Sequence, residues 1–119
     1  MAIPMDNETW IIETGDAVIQ KIAHSGMVSL TSWEMLVYCL WVADYGMRNA
    51  GDLNTAADVY ASFQTDARRI AEELSLQLTH KTFSLAKVDL EQGYFDRFES
   101  ICDEIKRAQP GTLPKRGGR

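Results

Sequence analysis

Apolar residues recur every three or four positions along most of this chain, which is the period of an amphipathic helix. In the first stretch Trp10, Ile11, Val18 and Ile22 fall on one side, with Ile12, Ile19 and Ala23 beside them. Asp6 or Asn7 can accept hydrogen bonds from the free N–H groups of a first turn, so the helix starts there. Gly15 weakens its middle and leaves room for a break. It ends near Ser25, where Gly26 can take the left-handed conformation that closes a helix.

The next start is the sharpest local signal. Thr31-Ser32-Trp33-Glu34 is a capping box, in which Thr31 bonds the Glu34 N–H and the Glu34 side chain reaches back to the Thr31 N–H. Leu30 and Met35 are placed to staple it. Trp33, Leu36, Val37, Leu40, Trp41 and Met47 mark one face, and Met35, Tyr38, Cys39 and Val42 fill much of the rest. A helix apolar nearly all round is covered by neighbours. This one, about residues 31–49, is therefore the central element, with Gly51 just past its end.

A third helix begins at Asp52 or Asn54. Ala56, Val59, Tyr60, Phe63, Ala67, Ile70, Ala71 and Leu74 keep the helical period, so the pattern predicts one continuous helix that can run on to Leu78. Residues 79–88 read as a short helix capped by Thr82 or as a loop. Asp89 with Gln92 then makes a second capping pattern. Tyr94, Phe95, Phe98, Ile101, Cys102 and Ile105 form a stripe behind it, stopped by Pro110. No segment alternates like a strand. The expected fold is all-α, a compact bundle of four or five helices with no sheet.

Composition fits this picture. The 119 residues make one domain, and 45% apolar content is that of a globular chain. The net charge is −5, but it is unevenly spread. Lys115, Arg116 and Arg119 stand in the last ten residues without an acid, so residues 1–109 alone carry −8. The expected division is a helical domain over 1–109 and a flexible basic tail over 110–119. An acidic domain argues against direct nucleic-acid binding, which needs a basic face. No leader peptide and no apolar run of membrane-spanning length are visible, which gives the expectation of a cytoplasmic protein. Cys39 and Cys102 lie far apart inside apolar patterns and read as buried free thiols, although the sequence leaves open that they meet.

Candidate chemistry is sparse. His24 and His80 are the only imidazoles, and neither stands in metal-ligand spacing. Nucleophile elbows and phosphate-cradling glycine loops are absent. The expectation is a protein without metal or cofactor, and not an enzyme. Two polar features stand out. Asp44 projects on the inner face of the central helix beside Leu40 and Met47, and a buried carboxylate needs a partner. Arg48, four residues on, can supply one as a structural ion pair. The alternative is a polar pocket of Asp44, Arg48 and Asn49, edged by Trp41 and Tyr45, in a ligand-binding or enzymatic bundle. The second feature is Asp89, Asp96, Glu99 and Asp103, which fall within about 80° of arc on the last helix. That acidic ridge is either a solvated face, with Lys106 and Arg107 pairing locally to Asp103, or a surface for a basic protein partner.

The run Asp44-Tyr45-Gly46-Met47-Arg48-Asn49-Ala50-Gly51-Asp52-Leu53, between two apolar helices, resembles the helix–Asn-Gly-Gly-Phe–helix junction of the bacterial DNA-mimic proteins, over about residues 30–75. Asn49 and Gly51 match the Asn and the second Gly. Ala50 replaces the first Gly, Asp52 and Leu53 stand where the aromatic belongs, and Gly46 stands where an acid is expected. The resemblance implies a small, acidic, dimeric all-helical protein that occupies the DNA-binding face of a regulator. The −8 charge of residues 1–109, the acidic ridge and the missing catalytic constellation lead to a wider expectation, a protein-interaction or regulatory module that binds a basic protein surface, a description that a DNA mimic, an antitoxin and an immunity-type inhibitor all fit. A homodimer is also expected, because spare aromatic surface on helical bundles is often buried across a twofold axis.

Overall fold

The computed structural model describes residues 6–110. The basic tail expected at 110–119 lies outside the described residues except for Pro110. The described chain is an all-α bundle without a sheet. Its helices are α1 (Asn7–Ser25), α2 (Ser32–Ala50), α3 (Asn54–Val59), α4 (Phe63–Glu73), α5 (Gln77–Phe83) and α6 (Lys87–Arg107), with a 3-10 turn at Met27–Ser29. Six α-helices replace the expected four or five, because the third expected helix is two and the ambiguous stretch holds another.

α2 is central, as its all-round apolar pattern requires. It packs against α1, α3, α4 and α6, while α5 bridges α4 and α6. Leu36, Val37, Cys39, Leu40, Val42 and Ala43 are wholly buried. Each large aliphatic side chain among them contributes about 1.5–3 kcal/mol by leaving water. The capping box is present: the Glu34 N–H donates to Thr31 Oγ1 at 3.1 Å and the Thr31 N–H to Glu34 Oε1 at 2.9 Å. Gly51 ends the helix in the left-handed conformation, φ 75°.

α1 starts at an Asp6 cap that accepts the Thr9 N–H at 2.7 Å. The helix runs through Gly15 without a break. A Cβ there would stand 2.4 Å from Trp41 Cδ1, so the missing side chain is what lets the indole of α2 lie against the α1 backbone. Gly46 does the same for α3, where an added Cβ would meet the Ala56 amide nitrogen at 2.9 Å.

The expected helix over 54–74 breaks at Tyr60, which is extended at φ −153°, ψ 101°. Its ring tilts against Tyr38, 5.6 Å between centroids, and its hydroxyl donates to Asp66 at 2.5 Å. The break is silent in the pattern because buried Ala56 and Phe63 stay seven residues apart across it. Thr82 does not cap α5. It lies inside that helix and donates to the Leu78 carbonyl at 2.8 Å. α6 opens from an extended Ala86 rather than from Asp89, which sits in its first turn.

The two short helices have no side-chain cap of their own. Each takes a carboxylate from α6, joined at α3 by Asp52, which accepts the Asn54 N–H at 2.9 Å. Glu91 accepts the Leu53 N–H at 2.8 Å. Glu104 accepts the Leu78 and Thr79 N–H groups at 3.0 and 2.7 Å and the Thr79 hydroxyl at 2.7 Å. Negative charge at a helix N-terminus is favourable both as a hydrogen-bond acceptor and against the helix dipole. α6 therefore fixes α3 and α5 by their starts.

Candidate functional site

Helical spacing places Asp44 and Arg48 one turn apart on α2, and the bundle brings Tyr94 of α6 over them. Asp44 is only 4% exposed. Arg48 Nε donates to both of its oxygens, at 3.0 and 2.9 Å, and the Tyr94 hydroxyl donates to Oδ1 at 2.7 Å. Arg48 Nη1 turns outward to Glu8 of α1 at 2.7 Å. The guanidinium carbon lies 5.1 Å from the Phe95 ring centroid and 4.9 Å from that of Phe98. One cation thus ties α1, α2 and α6 together.

The electrostatics follow from this enclosure. Burial pulls the Arg48 pKa down, but the hydrogen bond and charge of Asp44 and the charge of Glu8 outweigh it and hold the pKa above its ordinary value. Burial, with the Asp44 charge, pushes the Tyr94 hydroxyl well above its usual range, so it stays a protonated donor. The five residues of the expected pocket do not converge on one site: Asp44 and Arg48 pair with each other, while Trp41, exposed Tyr45 and exposed Asn49 form a separate local group. Asn49 donates to the Tyr45 carbonyl at 2.7 Å, and Trp41 stacks on Tyr45 at 5.4 Å and 15°. None of them lines the larger surface cavities of the fold.

The acidic ridge is present as an exposed arc. Asp89, Asp96, Glu99 and Asp103 are all exposed on α6. Glu99 and Asp103 both accept from the buried Asn7 Nδ2, at 2.6 and 3.1 Å, which fixes the start of α1 against α6. Lys106, expected to pair with Asp103, lies instead over the Trp10 ring at 5.4 Å. Val88 and Phe95 border the ridge and are 55% and 48% exposed. Their spacing of seven residues puts them on one strip of the helix.

Cys39 and Cys102 are both free and buried. Burial pushes the Cys39 thiol up to about 12 and the Cys102 thiol higher still, so neither ionises near neutrality. Among the described residues no group of three or more His, Cys, Asp or Glu side chains could hold a metal ion. None of the described helices is long and apolar enough to cross a membrane.

A cavity lies elsewhere in the fold. A cleft of about 380 Å³ lies between α3, the start of α4 and the α5–α6 connection. No pattern along the chain signals it, because the residues that meet there come from four segments with no common motif. Tyr94 and Glu8 were missed for the same reason: the Asp44–Tyr94 contact spans 50 positions. Gly15 did carry a signal, since a glycine inside a helix has a cost that close packing explains. No protein-family model, curated protein or solved structure matches this chain.

Proposed function

We propose that this protein is an interaction or regulatory module that binds a basic protein surface through the acidic ridge of α6, as DNA-mimic, antitoxin and immunity-type proteins do. The observation that carries the reading is the ridge itself. Four exposed carboxylates share one arc, on a domain whose residues 1–109 carry −8. Two of them, Asp89 and Asp96, have no partner within the described chain. Exposed Val88 and Phe95 along the same helix add an apolar strip beside the charge, which is the mix of apolar centre and polar rim that interfaces use. Charge of this kind speeds association and selects partners more than it adds affinity.

The alternative, a ligand-binding or enzymatic pocket at Asp44 and Arg48, has no observation in its favour, since both groups are used in holding helices together. The test is capture of partners from a lysate of the source cells at low and at high salt, with sedimentation of the isolated protein beside it. Recovery of a basic protein at low salt that is lost at high salt supports an electrostatic interface. Recovery that ignores salt, or none at low salt, counts against it. A concentration-dependent dimer in sedimentation would show that a second copy covers part of the apolar surface.

A further inference from the structure

The cleft between α3, α4 and the α5–α6 connection has a charge opposite to that of the domain. Its lining includes Arg68 and Lys87 and no carboxylate, although acids outnumber bases 17 to 12 in the chain. The two cations come from different helices and meet at one opening. Lys87 is held by a hydrogen bond to Asn54 Oδ1. Arg68 is exposed and makes no ion pair among the described residues, unlike its neighbour Arg69, which lies 3.5 Å from Asp66. Thr65 and Ser84 add hydroxyls, and buried Leu53, Phe63 and Phe83 lie beneath.

The cleft is also braced. Gln64 Nε2 reaches across from α4 to donate to the Phe83 and Leu85 carbonyls, at 3.1 and 2.8 Å. That bond fixes the spacing of the two walls, so the site is formed before any ligand arrives. Its volume lies in the range of small-molecule sites, which pair an apolar body with a few placed polar groups.

We propose that this cleft binds a small organic anion, with a phosphate or carboxylate held by Arg68 and Lys87 and an apolar body against Leu53, Phe63 and Phe83. Lys87 lies on the other side of α6 from the acidic ridge, since at about 100° per residue the four ridge acids stand roughly 120–200° round the helix from it. The site is therefore separate from the protein-binding surface and does not depend on it.

The experiment is a titration of the full-length protein followed by amide NMR shifts. The probes are phenyl phosphate, benzoate, inorganic phosphate and uncharged phenol. The expected result is saturable shifts at Thr65, Arg68, Ser84 and Lys87 with phenyl phosphate or benzoate, and weaker binding of inorganic phosphate and phenol. Which of the two aromatic anions binds tighter identifies the headgroup. Arg68→Gln removes no hydrogen bond or ion pair among the described residues and should weaken binding about tenfold, the worth of one charge-assisted hydrogen bond. Arg68→Gln with Lys87→Gln should abolish saturation, and circular dichroism confirms that the fold is kept. Shifts that do not saturate, that lie outside the cleft, or that persist unchanged in Arg68→Gln would overturn the proposal. So would binding of inorganic phosphate as tight as that of phenyl phosphate, since the apolar floor would then have no part.

Discussion

Removing Glu104 should unfasten α5 from α6. In Glu104→Ala the Leu78 and Thr79 N–H groups and the Thr79 hydroxyl all lose their acceptor. Losing a helix N-cap costs about 1 kcal/mol. Leu78 is exposed, so water recovers its bond. Thr79 is wholly buried, and an unsatisfied buried donor costs a further 1–3 kcal/mol or so. The expected loss is about 3 kcal/mol, near a fall of about 12 °C in Tm for a domain of this size. Glu91→Ala removes one bond, to Leu53, and should cost only about 1 kcal/mol. Urea unfolding followed by far-ultraviolet circular dichroism gives both values. Hydrogen exchange at Leu78 and Thr79 shows where the loss falls. A loss below about 0.5 kcal/mol for Glu104→Ala, or a full loss with unchanged exchange at those two amides, would refute the idea that α6 caps α5.

Further substitutions probe the packing and the buried ion pair. Gly15→Ala should destabilise by about 1–2 kcal/mol in urea unfolding, because overpacking against Trp41 exceeds the helix-propensity gain. Gly93→Ala meets only the end of the Arg97 side chain at 3.4 Å and should stabilise by up to about 1 kcal/mol. Asp44→Ala should cost about 2–3 kcal/mol by leaving the buried Tyr94 hydroxyl without an acceptor, and Tyr94→Phe about 1 kcal/mol. A double-mutant cycle on the two should show coupling, and additive losses would mean the hydrogen bond is not made in solution. Burial raises the Glu34 pKa, but the Lys21 ammonium and the Thr31 N–H outweigh it and leave it below the usual 4.5. A depressed acid stabilises the fold above its unfolded pKa and loses that contribution as pH falls through the folded value. Stability measured from pH 5 downward should therefore fall less steeply in Glu34→Gln than in the parent, roughly over the carboxylate range.

Local interactions were the legible ones. The Thr31–Glu34 capping box, the Gly51 turn and the Asp44–Arg48 pair all lie within four residues or so, and pattern alone finds them. The break at Tyr60 was hidden because the buried register passes through it unchanged. It is set by contacts with Tyr38 and Asp66 on other turns. Asp89 with Gln92 made a plausible cap, yet the chain leaves its extended conformation at Ala86, three residues earlier. At the candidate site, i to i+4 geometry revealed Arg48 as the partner of Asp44. Tyr94 and Glu8 arrive from other helices, and only the packed bundle decides whether such a group opens to solvent or closes. The ridge acids were legible as an arc, but not that Asn7 holds two of them.

Exposed Asp89 and Asp96 of α6 belong to the surface we propose for a basic partner. Capture by the parent protein should be compared with capture by Asp89→Asn with Asp96→Asn, which removes two exposed charges and no contact within the described chain. Partners should be quantified by mass spectrometry at low salt. A basic protein should be enriched by the parent and largely lost from the variant, with both proteins folded alike. Equal recovery of the same partner by parent and variant would contradict it.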